Sequence, residues 1–135
     1  EDIHHASILY QRLIEVRRNI HFGLSTYIKF LFEYLEDQGL PIIVNNCVQC
    51  QSKLKIVGVN PQLGGFICQT CHLKVSSTLL PAEALMLMRT IKQKPFAEAF
   101  NSSIVKMILP LLHQHFNFHM DVQLEGFKTI EKLAL

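Results

Sequence analysis

The chain has 135 residues, of which 49% are hydrophobic, and a formal net charge of +2 at pH 7. This length suits one domain with one core. The weak net charge by itself favours neither nucleic acid nor a membrane surface as a partner. No apolar run is long enough to span a bilayer, and no signal peptide precedes the first helical pattern. The chain begins at Glu1 without a methionine, which suggests a piece of a longer protein.

Helical spacing dominates the first forty residues. The first predicted helix carries apolar side chains at steps of three and four, at Ala6, Leu9, Leu13, Val16 and Ile20. A break is predicted at His21, Phe22 and Gly23. The apolar side of a second predicted helix consists of Leu24, Tyr27, Ile28, Leu31, Tyr34 and Leu35. Since aromatic residues also lie off this stripe, we expect burial on more than one face, and Gly39 before Pro41 predicts the helix end.

The segment from residue 42 to residue 76 has a different character. Residues 53–57 alternate polar and apolar side chains, which predicts a strand. Pro61 and the pair at residues 64–65 predict a turn, and Phe66 begins a second apolar strand. The segment therefore predicts a small β-hairpin module inserted into a mainly α domain that spans residues 1–135.

Helical spacing returns in the last third of the chain. Pro81 is predicted as the first residue of a helix that Pro95 closes. Its apolar positions are Ala84, Leu85, Met88 and Ile91. Asn101 or Ser102 is expected to cap another helix, in which Pro110 predicts a kink or an end. The apolar positions of that helix are Ile104, Val105, Ile108, Leu111, Leu112 and Phe116. A short final helix is predicted with Phe127, Ile130 and Leu133.

The four cysteines carry the most specific chemical signal. Cys47 and Cys50 form one C-x-x-C pair, Cys68 and Cys71 form another, and seventeen residues separate the pairs. Each spacing lets both thiolates of one tight turn face a single ion, and two such turns complete a tetrahedral S4 shell. The pattern predicts one structural Zn²⁺ in a zinc ribbon within residues 42–76. Zinc is favoured over iron, although four sulfurs also suit iron.

Other uses of the cysteines are two disulfides or two redox-active pairs. A cytosolic compartment opposes stable disulfides. A thioredoxin-like site needs a pair at a helix start within a βαβ unit, which the pattern does not predict. His72 adjoins Cys71 and is an alternative ligand, but four thiolates suffice, which favours an exposed turn residue.

No pattern predicts a catalytic centre. The sequence has no phosphate-binding loop, nucleophile elbow or pair of catalytic carboxylates, so we predict that the protein is not an enzyme. His115 and His119, with His113 nearby, have the spacing of a helical metal site. The favoured interpretation is a solvated helix end, where the dipole suits histidine. Met86 and Met88 favour core packing over a peptide groove.

The predicted elements and motifs follow one another in a recognisable order. Two helices end at residues 39–41 with G-L-P, the first cysteine pair follows at 47–50, and G-G-F at 64–66 precedes the second pair at 68–71. A helical tail then covers residues 112–127. This order resembles the C-terminal region of the RecO family, which are bacterial recombination-mediator and DNA-repair proteins.

The resemblance covers nearly the whole chain and is most specific between residues 39 and 71. Two positions depart from the family's pattern. Gln51 follows the first cysteine pair, where the family commonly has glycine. Gly126 lies in the tail, where the family often has a small polar residue after a lysine. The family's N-terminal OB-fold, a module that binds single strands by stacking and a basic groove, is not expected in this chain.

The resemblance implies a role in recombinational repair, in the bacterial cytoplasm at the nucleoid. RecO-like proteins bind and anneal single-stranded DNA, and they load recombinase with RecR and the tail of single-stranded DNA-binding protein. This chain is expected to be a helical scaffold and docking domain without a membrane role. An acidic, aromatic-ended tail needs an apolar pocket with a basic rim. Arg89, Lys92 and Lys94 are candidates for that rim, with a solvated face as the alternative.

A nucleic-acid-binding ribbon of the transcription-factor type is the alternative function. Lys53, Lys55 and Lys74 would then contact phosphates, and residues 47–75 contain no acid. Zinc with four thiolates carries a charge of −2, so the formal charge of this segment would fall from +3 to +1. A thiol oxidoreductase is a third hypothesis, and it requires reactive thiols that a bound metal would mask.

Overall fold

The computed structural model describes residues 8, 20–94, 100–120, 127 and 130–132. Within them, the structure is mainly helical with one small antiparallel sheet. The helices are α1 (Ile20–Asp37), α2 (Gln69–His72), α3 (Ala82–Thr90) and α4 (Ser102–Met120), and a 3-10 turn (Ile91–Gln93) follows α3. The strands are β1 (Ile56–Asn60), β2 (Gly65–Cys68) and β3 (Thr78–Leu79). The predicted positions Ala6, Leu9, Leu13, Val16, Pro95, Gly126 and Leu133 lie outside the described residues.

Helix α1 runs through the predicted break, which was therefore wrong. His21, Phe22 and Gly23 are all helical. A glycine inside a helix costs only about 1 kcal/mol relative to alanine, and burial of the apolar side of α1 outweighs that cost. The expectation of burial on more than one face is confirmed, because Phe32 and even Lys29 lie in the interior.

The predicted end of α1 is confirmed in detail. Gly39 has a φ of +75°, the left-handed conformation that glycine adopts without a side-chain clash. The amide of Leu40 donates to the carbonyl of Leu35 at 2.9 Å, and the amide of Gly39 donates to Glu36 at 3.0 Å. These two bonds satisfy the last carbonyls of the helix. The chain then leaves α1 toward the cysteine-containing segment.

The sheet has the strand order β2-β1-β3, with both pairings antiparallel. The predicted turn between β1 and β2 is confirmed, and residues 61–64 form it. An isolated parallel bridge joins Ile43 to Gly65 on the outer side of β2. The first strand was predicted too early, since it begins at Ile56 and not at residue 53. Residues 53–55 form an exposed loop, in which Lys55 has a φ of +55°.

Helix α3 begins one residue later than predicted, because Pro81 is its cap and not its first turn. Met88 is buried as expected, whereas Met86 is exposed. The predicted cap of α4 is confirmed: the Asn101 side-chain oxygen accepts the amide of Ser103 at 2.9 Å. Helix α4 does not end at Pro110, because its neighbours on both sides are buried and their packing offsets the lost backbone bond.

Two groups of buried side chains hold the chain together. The larger group joins α1, α3 and α4 to the sheet, and it includes Tyr27, Leu31, Leu35, Ile42, Val59, Phe66, Leu80, Met88, Ile91, Ile108, Leu112, Phe116, Phe127 and Ile130. The smaller group consists of Cys47, Ile67, Cys68 and Cys71, with Val48, Ile56 and Val75 packed against it. The cysteine-containing segment therefore has a small interior of its own next to a helical body.

A buried polar chain crosses the helical body. The Tyr27 hydroxyl lies 2.9 Å from Nε2 of His113, and Nδ1 of His113 lies 2.6 Å from Oε2 of Glu131. The His113 ring also stacks on Phe127 with 4.0 Å between centroids. Burial lowers the pKa of His113, although Glu131 opposes this shift. A neutral ring that accepts from the Tyr27 hydroxyl and donates to Glu131 satisfies all three groups.

We predict that Tyr27→Phe lowers the free energy of unfolding by about 1–3 kcal/mol, because Nε2 of His113 loses its buried donor. Urea denaturation of the two proteins at neutral pH measures this difference. A change below about 0.5 kcal/mol, the range of ordinary surface substitutions, would show that the hydroxyl contributes nothing to the helical body.

Candidate metal centre

The first cysteine pair lies in a tight turn that backbone bonds close from both sides. The amide of Cys47 donates to Ser52 at 2.7 Å, and the amide of Gln51 donates back to Cys47 at 2.8 Å. Gln51 has a φ of +72°, which lets the chain reverse immediately after Cys50. The amide of Val48 donates to Phe66 at 2.9 Å, so this turn is attached to β2.

The second pair lies where β2 passes into α2. Cys68 is the last residue of the strand and the cap of the helix, and Cys71 lies inside the single turn of α2. The amide of Gln69 donates to the carbonyl of Lys55 at 2.8 Å, so the loop before β1 is also attached here. The Cys71 carbonyl accepts the amides of Lys74 and Val75, both at 2.9 Å. Both cysteine turns are thus fixed to the same small sheet.

The sheet brings all four sulfurs into one cluster. Every pair of Sγ atoms lies within 4.8 Å, and Sγ of Cys50 is 3.6 Å from Sγ of Cys68. Cys47, Cys68 and Cys71 are buried, Cys50 is exposed, and all four are free cysteines. The structure therefore joins all four predicted ligands in an arrangement that is able to hold one metal ion.

The electrostatics of the cluster favour a bound cation. Burial raises the pKa of the Cys47 thiol, but amide donors at Cys50, Cys68 and Gln49 and the Cys71 thiol outweigh burial and lower the pKa to about 6. Burial, and hydrogen bonds to the other three sulfurs, raise the pKa of Cys71 to about 12. One negative charge is thus easily accommodated, whereas four thiolates this close together require a positive ion among them.

The sulfur positions also fit the size of a tetrahedral thiolate shell. With a metal–sulfur bond of about 2.3 Å, neighbouring sulfurs in a tetrahedron lie about 3.8 Å apart. The separation of 3.6 Å between Cys50 and Cys68 matches this value, and the remaining pairs lie within 4.8 Å, so small movements of the turns would close the shell around an ion. When bound, the metal would supply a cross-link between the two turns. Four protein sulfurs leave it no open position for substrate.

The surroundings of the second pair differ from those of a thioredoxin-like site. Cys68 and Cys71 do stand at a helix start, which the sequence did not reveal. Helix α2 has only four residues, however, and the strands on either side of it belong to an antiparallel sheet, not to a βαβ unit. His72 is not directed at the cluster, since its Nδ1 bonds the hydroxyl of Ser77.

The predicted phosphate-binding lysines do not form part of the sulfur cluster. Lys53, Lys55 and Lys74 are all exposed. Lys53 and Lys55 flank Leu54, a side chain that is 75% exposed. Because Lys55 and Gln69 share a backbone bond and Lys74 follows α2, these lysines lie at the cysteine-containing end of the sheet.

The three predicted rim residues have different surroundings. The Arg89 guanidinium lies 5.2 Å from the centre of the Phe66 ring, a cation–π contact between α3 and β2. Lys92 forms an ion pair with Glu36 of α1. Lys94 lines a groove of about 410 Å³ on the outer side of α3, and the other lining residues are Ala82, Glu83, Met86, Leu87 and Thr90.

The histidines of α4 do not form a solvated helix end, so that interpretation was wrong. His113 and His115 are buried, and His119 is partly buried. Nε2 of His115 lies 2.9 Å from the Leu40 carbonyl, and Nε2 of His119 lies 2.7 Å from the Pro61 carbonyl. The signal for burial was present in the sequence, because His115 follows Ile108 by seven residues and so continues the apolar side of the helix.

Comparison with family models, with curated proteins and with solved structures finds no match to this chain. Among the described helices, none combines the length and the apolar character that crossing a bilayer requires.

Proposed function

We propose that the chain binds one structural Zn²⁺ through Cys47, Cys50, Cys68 and Cys71, and that residues 42–76 are a zinc ribbon. The convergence of four free cysteines from two separate turns, with all sulfurs within 4.8 Å, is the observation that carries this proposal. Zinc is favoured over softer or redox-active metals because it suits a closed tetrahedral shell and needs no redox partner. The metal would stabilise a module whose own interior is very small.

We further propose that this module and the surrounding helices form the zinc-binding scaffold and docking domain of a RecO-like recombination mediator. The order of features supports the proposal, with a cysteine module between α1 and α3 and a helical tail after it. The backbone at Gln51 adds support, because its φ of +72° suits the glycine that is common at this position in the family. The domain would act in DNA repair without catalysis, alongside RecR, single-stranded DNA and single-stranded DNA-binding protein.

The groove on α3 is the best candidate on the described surface for docking an acidic, aromatic-ended tail. It combines the exposed apolar side chain of Met86 with the ammonium group of Lys94 at its border. Arg89 and Lys92 lie near it in sequence but already contact Phe66 and Glu36. We propose Lys94 for the rim because, of the three residues, it is the one that lines the groove, where Glu83 also lies. We treat Arg89 and Lys92 as residues that hold α3 and the turn after it in place.

A binding experiment with a labelled acidic peptide that ends in phenylalanine tests this docking role. We predict that Met86→Glu weakens binding at least about tenfold, because a carboxylate in the groove repels the acidic peptide and removes apolar contact. Lys74→Glu introduces the same carboxylate on the cysteine module, with a larger change of charge, and should leave binding within about twofold. Equal binding by the wild type and Met86→Glu would reject the groove as the docking site.

The nucleic-acid-binding ribbon remains the second candidate function. Exposure of Lys53, Lys55 and Lys74 near the cysteine turns supports it. Against it, Phe66 is the aromatic residue of the module and is fully buried, so no aromatic side chain there is available to stack on bases. Binding to single-stranded DNA that weakens steeply with salt, and that Lys53→Ala and Lys55→Ala reduce, would favour this candidate. Binding without a salt slope would reject it.

A further inference from the structure

His115 and His119 connect α4 to two different parts of the chain. The two rings lie one helical turn apart, with 4.3 Å between their centroids. His115 bonds the carbonyl of Leu40, in the segment that leaves α1, and His119 bonds the carbonyl of Pro61, in the turn between β1 and β2. The pair therefore adds two polar contacts to the apolar packing of Ile42, Val59, Phe66 and Leu80, which attaches residues 42–80, the cysteine module, to the helical body.

Gly64 lies next to both rings, at ordinary van der Waals distance. It has a φ of +94°, and a Cβ atom there would lie 3.6 Å from Nε2 of His119 and 3.8 Å from Cε1 of His115. The Gly64 amide donates to Asn60 at 2.9 Å, and its carbonyl accepts the amide of Ile43 at 2.8 Å. The turn, the segment after α1 and the two imidazoles thus form one packed contact.

The hydrogen bonds fix the tautomer of both rings. A carbonyl oxygen only accepts, so Nε2 of each histidine carries the proton, and Nδ1 is left as an acceptor. Nδ1 of His115 is buried and has no hydrogen-bond partner among the residues that the structure describes. A second proton on His115 would therefore create a buried N–H group without an acceptor among the described residues.

No carboxylate faces this pair from the segments that it bonds. Residues 38–46 and 61–65 contain no acidic or basic side chain. Glu36 and Asp37 at the end of α1 are exposed, and Glu36 is paired with Lys92. His113, the other titratable group on this part of α4, is bonded to Tyr27 and Glu131. Positive charge on His115 would thus meet no compensating negative charge among these residues.

We propose that His115 makes this contact a proton-sensitive joint, which helps to hold the cysteine module on the helical body at neutral pH and loosens it in mildly acidic solution. The joint is independent of the identity of the metal and of the proposed role in repair. It gives the protein two states that differ in the docking of one module, and protonation shifts the balance between them.

The direction of the pH effect follows from the burial of His115. Burial lowers its pKa to about 4, the Leu40 carbonyl opposes this shift, and the charge of His119 reinforces it. A histidine released into water titrates near 6.5. Between these two values the open state binds more protons than the docked state, so docking is complete above about pH 6.5 and is lost progressively as the pH falls toward 4.

Amide hydrogen exchange on the full metal-loaded chain tests the joint. The reporters are the amides of Gly64 and Ile43 in the contact, and the amide of Leu35 inside α1 serves as the reference. After correction for intrinsic exchange rates, we expect protection of the two reporters to fall by roughly tenfold or more from pH 7.5 to pH 5. Protection of Leu35 should change much less.

His115→Gln is the decisive variant, because the glutamine amide still donates to the Leu40 carbonyl but carries no charge at any pH. We expect its Gly64 and Ile43 amides to stay protected at pH 5. Loading the cysteines with cobalt(II) reports metal release separately through its absorption. Opening at the same pH in the wild type and in His115→Gln, in step with cobalt release, would overturn the proposal.

A measurement on the wild type covers the case in which the variant does not fold. Titration of the His115 ring by NMR should give a pKa well below that of a free histidine. A value at or above about 6.5 would overturn the proposal, because protonation would then cost the docked state nothing.

Discussion

Replacing Cys47 by serine will abolish metal binding and unfold the cysteine module, while most of the helical body remains folded. Cys47 is fully buried, and its sulfur accepts amide hydrogen bonds from Gln49, Cys50 and Cys68. Its loss removes both a ligand and the organising centre of the first turn. Apparent metal-binding energies of zinc-finger peptides reach about 10–16 kcal/mol, and the small interior around Ile67 offers little else to stabilise the module.

Elemental analysis and circular dichroism measure the two parts of this prediction. The wild type should contain one zinc per chain, and Cys47→Ser should contain none. Helical signal should fall only modestly, because most of the larger core comes from α1, α3 and α4, although Ile42, Val59, Phe66 and Leu80 of the module also contribute to it. Chelation of the wild type should give the same spectrum as the variant.

His72→Ala is the matched control for the cysteine variant. His72 adjoins Cys71 in sequence but bonds Ser77, so the variant should retain one zinc per chain. A wild type without metal would contradict the proposed centre and return the redox hypothesis to consideration. Loss of zinc in His72→Ala would show that the histidine participates in ligation.

Gly65→Ala will destabilise the protein by about 3 kcal/mol, near the upper end of the usual cost of overpacking. A Cβ atom at this position would lie 2.4 Å from the carbonyl oxygen of Ile43 and 2.9 Å from its amide nitrogen. Backbone atoms cannot rotate away as a side chain does, so either β2 or the segment after α1 must move. The bridge between Ile43 and Gly65 and the attachment of the module should weaken together.

Gly39→Ala is the matched glycine substitution in open space. Gly39 has a φ of +75°, but no atom lies within 4 Å of the position that a Cβ would take. Its cost should be about 1–2 kcal/mol, the penalty of a left-handed conformation alone. Urea denaturation of both variants separates the two effects, and equal losses would show that the close contact at Gly65 relaxes freely.

The features that sequence predicted best are those in which a single residue type has a single physical role. Gly39 ends α1 because of its left-handed conformation, and the cysteine spacing gives one sulfur cluster because each pair spans one tight turn. The loop at residues 53–55 was predicted as a strand because polar and apolar side chains alternate there. This alternation carries no information on the backbone conformation. Its conformation depends on backbone bonds from Cys47 to Ser52 and from Gln69 to Lys55, which no local pattern reveals.

The polar residues of the interior were the hardest to predict. Lys29 lies on α1 among apolar neighbours, and its ammonium group bonds Glu33 and the carbonyls of Ile91 and Lys92. His115 similarly depends on the carbonyl of Leu40, 75 residues away. Such hydrogen-bond partners belong to segments far apart in sequence, so only the folded structure identifies them. Sequence reasoning predicted the four cysteines that the fold brings together and missed the groups that fix their module to the helices.

The arrangement of the three strands also bears on how the protein avoids self-association. A free sheet edge is a template for pairing with another chain, and proteins commonly limit that hazard by keeping edge strands short. Here β3 has only two residues, and the bridge from Ile43 covers part of the opposite edge at Gly65. The sheet thus offers a neighbouring copy very little backbone to extend, so a module held together by so few apolar side chains is protected against edge-to-edge aggregation while it is folded.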